Sequence, residues 1–276
     1  LQNIQYINGF NAAGLELKLN NDMLYVCGTS MYALNINMGN YEIDFPTTYD
    51  KGGFCAKMDT TGDIKWAKYF GVRGWDSHIT ISNIDMLSPN DIIVLGYSFS
   101  QSEPNKIYFE NASTLNGNSW DSNDYFIVNY DSLGQVKWHT KSSSSGDEYI
   151  KAMTYREDLE EIYIAGSFNN YISFNGSTYS SASDDAMVLC YDIEGNEKWI
   201  KFAGGAGMDK AWAIALDSQN NIYVNGSTSS NPSQFGAHSY TTENGANVFL
   251  AKMEYSAIGI EEIQDEDLKI CAHPNP

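Results

Sequence analysis

Apolar, β-branched runs that stop at a glycine recur along the chain: "MLYVCGTS" (23–30), "DIIVLGYS" (91–98), "EIYIAGSF" (161–168) and "NIYVNGST" (221–228). Short apolar runs of this kind, bounded by turn residues, predict buried strands. Their glycines, Gly28, Gly96, Gly166 and Gly226, stand 60–70 residues apart. A leading strand precedes each run, at 14–20, 78–87, 149–155 and 211–217. A further strand follows each: "KGGFCAKMD" (51–59), "NDYFIVNYD" (123–131), "DDAMVLCYD" (184–192) and "ANVFLAKME" (246–254). In three units it turns tightly into a fourth strand: "GDIKWAKYFG" (62–71), "GQVKWHTKSS" (134–143) and "GNEKWIKFAG" (195–204).

The turn between the last two strands is written with the same residues each time. Asp59, Gly62 and Trp66 recur as Asp131, Gly134 and Trp138, and again as Asp192, Gly195 and Trp199. An Asp carboxylate accepts hydrogen bonds from amides two residues on, and Gly takes positive φ. Asp-x-x-Gly therefore builds a hairpin loop by itself, and the Trp after it is placed to pack one unit on the next. Oxygen-rich turns also suit calcium, so a structural and a metal-binding reading both stand.

Four strands per unit at this spacing predict an all-β fold, a β-propeller of four-stranded antiparallel blades with four blades. The fourth unit lacks its last strand. "QNIQYINGFN" (2–11) aligns with "GDIKWAKYFG", with Ile4 over Ile64 and Tyr6 over Trp66. The expectation is that the N-terminal strand pairs into the last blade and closes the ring, removing open sheet edges. Residues 1–256 then form the propeller, and 257–276 an acidic linker and tail. The stretches 30–50, 99–122, 169–183 and 229–245 vary most. Each holds a phenylalanine (Phe45, Phe109, Phe174, Phe235), and "KIYFENAS" and "YISFNGST" read as extra hairpins. Variable loops on a rigid frame are where specificity is carried.

Charge narrows the partners. A net charge of −19 repels phosphate backbones and anionic lipid, so neither nucleic acid nor direct membrane insertion is expected. With 42% hydrophobic residues the chain can bury a substantial core. No apolar stretch nears the ~18 residues of a spanning helix. The four cysteines, Cys27, Cys55, Cys190 and Cys271, form no C-x-x-C pair. Cys27 and Cys55 fall on strands that could be neighbours, which leaves one disulfide open.

Motifs for zinc hydrolysis, serine hydrolysis and phosphate cradling are absent, and the four histidines lack metal-ligand spacing. No catalytic residue is therefore assigned. The loops before the leading strands are more informative: "VRGWDSH", "SSGDEY" and "GAGMDKA". They place Asp76, Asp147 and Asp209, with the aromatics Trp75 and Trp212, at one mouth of the expected propeller. Converging carboxylates and aromatics suit a cation or a sugar. An Asp that ties down its own loop explains the same residues. Calcium is the one cofactor such loops would take. The functional expectation is a non-catalytic binding or structural protein that engages glycans or other surface molecules. Two alternatives stay open: a glycan-acting hydrolase or lyase built on paired carboxylates, and a structural spacer in a larger surface protein.

The stretch "DDAMVLCYDIEGNEKWIKFAGGAGMDKAWAIALDSQNNIYVNGST" (184–228) resembles the bacterial SBBP-type β-propeller repeat. The likeness is looser over 51–98 and 123–168. It implies an extracellular propeller and no particular reaction, and four blades would be fewer than that family usually has. The tail "GIEEIQDEDLKICAHPNP" (259–276) is similar to the opening of the C-terminal sorting domain of type IX secretion substrates in Bacteroidota, with His273 where that pattern has Tyr. That likeness implies passage through the type IX machinery, and then an extracellular location or attachment at the outer-membrane surface.

Overall fold

The computed structural model describes residues 7–8, 12–31, 35–38, 41–44, 51–73, 77–88, 91–100, 106–109, 114–116, 122–142, 144, 146–241, 245, 247–253 and 268–270. Among them the protein is all β, with no helix, and its strands pair antiparallel. The chain divides into two compact units, Leu1–Ser145 and Gly146–Pro276.

The first unit holds two larger sheets. One runs in the order β2 (Ala12–Asn20), β3 (Met23–Met31), β6 (Lys51–Asp59), β7 (Ile64–Val72), and is extended beyond β7 by the hairpin β10 (Lys106–Phe109) and β11 (Thr114–Asn116). The second is β8 (His78–Met86), β9 (Ile92–Phe99), β12 (Asn123–Tyr130), β13 (Val136–Lys141). The added hairpin sets Phe109 opposite Phe70, with the rings 5.9 Å apart. Their shared core includes Tyr25, Trp66 and Phe70 from the first sheet, and Ile81, Val94 and Phe126 from the second. These residues alternate along their strands with residues of the opposite face, as the two-residue period of a strand requires.

The second unit follows the same order. Its first sheet is β14 (Glu148–Arg156), β15 (Glu161–Phe174), β16 (Ser177–Asp192), β17 (Glu197–Gly204), extended by β20 (Ser233–Phe235) and β21 (His238–Tyr240). Its other sheet is β18 (Asp209–Leu216), β19 (Ile222–Thr228), β22 (Asn247–Met253), β23 (Leu268–Ile270). The extra hairpin on 171–178 is a continuation of β15 and β16 past the turn at Asn175 and Gly176, both at positive φ. Each leading strand carries a bulge beside the glycine-ended strand; in β14 and β18 the bulged residues are Lys151 and Trp212.

The expected closing strand is not where the alignment placed it. Ile7–Asn8, the described part of that segment (β1), pairs with β4 (Asn35–Met38), which pairs in turn with β5 (Tyr41–Asp44). The outer edge of β22 is taken instead by Leu268–Ile270, with Ala251 opposite Ile270 and Met253 opposite Leu268. The "LKI" segment after the acidic stretch brings two apolar residues on alternate positions, the pattern an edge strand needs. Phe45 lies outside the described residues.

Cys27 and Cys55 sit directly opposite each other on β3 and β6 and form a disulfide. Cys190 is a buried free thiol, and burial pushes its pKa upward.

Candidate functional site

The Asp-x-x-Gly turns close on themselves. The Asp59 carboxylate accepts from the amides of Thr61 (2.9 Å) and Asp63 (3.0 Å). Asp131 accepts from Leu133 and Gln135, both at 2.8 Å, and Asp192 from Asn196 at 2.8 Å. Gly62, Gly134 and Gly195 all take positive φ and donate their amides back to the Asp carbonyl. Asp217 makes the same turn, accepting from Gln219 and Asn221, with Asn220 at positive φ in the glycine position. The sequence signal was there, since Asn tolerates that conformation, but an Asn in place of Gly hid it.

Trp66 is buried and packs among Tyr25 and Tyr130. Its indole N–H donates to the Ser132 carbonyl, inside the turn that Asp131 and Gly134 build. Trp199 packs at 5.7 Å from Tyr163 in the core of the second unit. Trp138 is half-buried on β13.

The loop aspartates do not share one position. Trp75 and Asp76 lie outside the described residues. Asp209 pairs with Thr228, two ladder steps beyond Gly226, and the residue at that step on β14 is Glu148, not Asp147. Asp147 stands one residue earlier, ahead of β14, so Asp147 and Asp209 do not occupy equivalent positions. The Asp147 amide bonds to the Asn169 side chain at 3.0 Å.

Asp209 is 1% exposed and locks two loops together. Its Oδ2 accepts from the Gly205 amide (3.0 Å) and the Ser230 hydroxyl (2.5 Å), while Ser230 Oγ accepts from the Gly207 amide (2.8 Å). Asp185 faces the same spot: a Cβ on Gly204 would meet Asp185 Oδ1 at 2.3 Å and Asp209 Oδ2 at 2.7 Å. Burial, then the charge of Asp209, raises the Asp185 pKa; bonds from Ser181 and Gly205 oppose the shift only in part. Sequence reasoning missed Asp185 because it reads as an ordinary strand residue. Among the described residues no group of three His, Cys, Asp or Glu could hold a metal ion.

Trp212 differs from Asp209 in being open to solvent, at 46% exposure. It is the bulged residue of β18, and its indole N–H is held by Ser227 Oγ at 3.1 Å. The ammonium of Lys151, bulged on β14, lies 6.0 Å from the Trp212 ring and 5.7 Å from that of Tyr149. This is an oriented aromatic surface edged by a hydroxyl and a cation, and sequence reasoning found only its tryptophan. Elsewhere in the unit, a cavity of about 30 Å³ opens onto Ala186, Ala203, Ala211, Phe249 and Ala251. Its lining is almost wholly apolar.

No family model matches the chain, and no curated protein is detectably similar to it.

Proposed function

We propose that the protein is an exported, non-catalytic binding protein, and that its four larger sheets are blades of a β-propeller of the SBBP type. In this reading Trp212 is the platform on which a sugar ring stacks, with Tyr149, Lys151 and Ser227 around it. The observation that carries the reading is the combination at Trp212: a large ring left exposed, yet fixed by its own N–H and by a neighbouring cation. An amphipathic ring held in one orientation costs little entropy when it binds. The Cys27–Cys55 bridge favours an oxidising compartment. The tail fits export by the type IX machinery, followed by residence outside the cell or on its surface. No cofactor is part of this reading.

Hydrolysis is not proposed. The two converging carboxylates, Asp185 and Asp209, meet behind Gly204, and Asp209 is sealed from solvent, so a glycosidic bond has no route to it. The test is a glycan array probed with the intact chain and with Trp212→Ala. Binding to a defined set of glycans by the first and its loss in the second is expected; absence of binding would rule out the sugar reading.

A further inference from the structure

A buried carboxylate is tolerated only where its charge is answered nearby. In the second unit two carboxyl groups meet. Asp185 lies on β16 opposite Phe168, and Asp209 opens β18 opposite Thr228. Gly204, the last residue of β17, stands where a side chain would part them. A Cβ there would come within 2.3 Å of Asp185 Oδ1 and 2.7 Å of Asp209 Oδ2. The glycine therefore leaves the two carboxyl groups facing each other.

Their hydrogen bonds are uneven. Asp209 Oδ2 accepts from the Gly205 amide and the Ser230 hydroxyl, and the Asp185 carboxyl receives bonds from Ser181 and Gly205. Yet Asp185 Oδ1 and Asp209 Oδ1 are both buried, and among the described residues neither has a hydrogen-bond partner. Asp209 is 1% exposed as a whole, so bulk water does not serve its second oxygen. Lys210 is its neighbour in the chain, but that ammonium pairs with Asp184 Oδ2 at 2.8 Å. A proton shared by the pair cancels one of the two charges and leaves the other buried.

We infer that this pair is a calcium site, with Asp185 Oδ1 and Asp209 Oδ1 as its carboxylate ligands. A divalent cation cancels both charges and gives each bare oxygen a partner. The surroundings are oxygen-rich, with the Ser181 and Ser230 hydroxyls beside the carboxylates. Calcium takes such mixed sets of charged and neutral oxygens and tolerates irregular geometry, whereas magnesium demands a near-ideal octahedron. The net charge of −19 draws cations toward the chain. Asp185 is half-buried and Gly205 exposed, so an ion has an approach from that side. Once bound, it ties β16 to the start of β18 and to the loop between β17 and β18.

The test is the melting temperature of the intact chain, stripped of metal with a chelator and then titrated with calcium chloride at neutral pH. A ligand of the native state raises it. The expected result is a rise that grows with calcium, is reversed by chelator and is smaller with magnesium chloride. Asp185→Asn keeps the side-chain shape and should lose the rise; circular dichroism in chelator checks that the variant is folded. Asp217→Asn, in a turn of the same unit whose carboxylate is taken up by its own amides, should keep it. Calorimetric titration with calcium chloride should show saturable binding to the wild-type chain and to Asp217→Asn, and none to Asp185→Asn. No rise in the wild type, a rise kept by Asp185→Asn or lost in Asp217→Asn, or an equal rise with magnesium would each overturn the inference.

Discussion

The indole N–H of Trp66 donates to the main-chain carbonyl of Ser132, 3.0 Å away and 66 residues later in the chain. One sheet thus fastens onto the hairpin turn of the next, and the turn is shaped to receive it. Gly134 lies against the ring face: a Cβ there would come within 2.8 Å of Trp66 Cδ2.

Two substitutions separate the parts of this joint. Trp66→Phe keeps an aromatic ring and loses the donor; Lys57 Nζ still reaches the Ser132 carbonyl at 3.5 Å, so the expected loss is about 1 kcal/mol. Gly134→Ala is compared with Gly176→Ala. The two glycines have nearly equal positive φ, 75° and 73°, but a Cβ on Gly176 meets nothing within 4 Å. Backbone strain is common to both, so the excess loss at Gly134, about 1–3 kcal/mol, reports the clash with Trp66. Urea denaturation measures both; equal losses at the two glycines would contradict the joint.

The turn at Asp217 predicts an acid limb. Hydrogen bonds from Asn221, side chain first, and from the Gln219 amide hold the carboxyl at about 2, against an ordinary 3.8. A depressed folded-state value means that the contribution is present above the ordinary value and is lost as pH falls from about 4 to 2. Asp217→Asn should therefore melt below wild type at pH 6, with the gap closing as pH approaches 2. A gap independent of pH would show that the charge plays no part.

Asp185 predicts the opposite sign. Its raised pKa means the folded state holds a proton that the unfolded state releases. Stability from this group is complete below the ordinary aspartate range and falls as pH rises through the raised value. Asp185→Asn removes that fall and keeps the shape of the side chain, with an amide donor available to Asp209. Its melting temperature should exceed that of wild type at pH 7 and match it or fall below at pH 4. Melts across that range decide it; a variant less stable at both ends would mean that the proton is not the determining factor.

The Cys27–Cys55 bridge closes a sequence separation of 28 residues. Loop-closure entropy for that length gives about 3–4 kcal/mol. Denaturation with and without a thiol reductant should differ by roughly that amount, and the double variant Cys27→Ala, Cys55→Ala should be insensitive to reductant. Equal midpoints in the wild type would contradict the bridge.

Much of the fold was legible because strand chemistry is local. The β-branched runs ending at Gly28, Gly96, Gly166 and Gly226 lie within β3, β9, β15 and β19, and "KGGFCAKMD" coincides with β6. The edges were less legible. Ile7–Asn8 pairs with β4, and Leu268–Ile270 takes the edge of β22; which segment wins an edge depends on long-range pairing that a local motif does not encode. The site was read in part for a related reason. Asp147 and Asp209 look alike in sequence, yet the ladder position of Asp209 is held on β14 by Glu148, one residue after Asp147. The neighbours of Trp212 were missed because Lys151 and Tyr149 come from a strand some 60 residues earlier in the chain.

In the proposed function Trp212 is a binding surface and Asp209 a structural lock. The most direct measurement is calorimetric titration of the strongest array glycan into wild type, Trp212→Ala and Asp209→Asn at equal concentrations. The account predicts that Trp212→Ala abolishes the heat of binding while its melting temperature is unchanged. Asp209→Asn should bind as wild type does but melt lower, having lost its charge-assisted bonds from Gly205 and Ser230. Undiminished binding by Trp212→Ala, or binding lost only with Asp209→Asn, would contradict it.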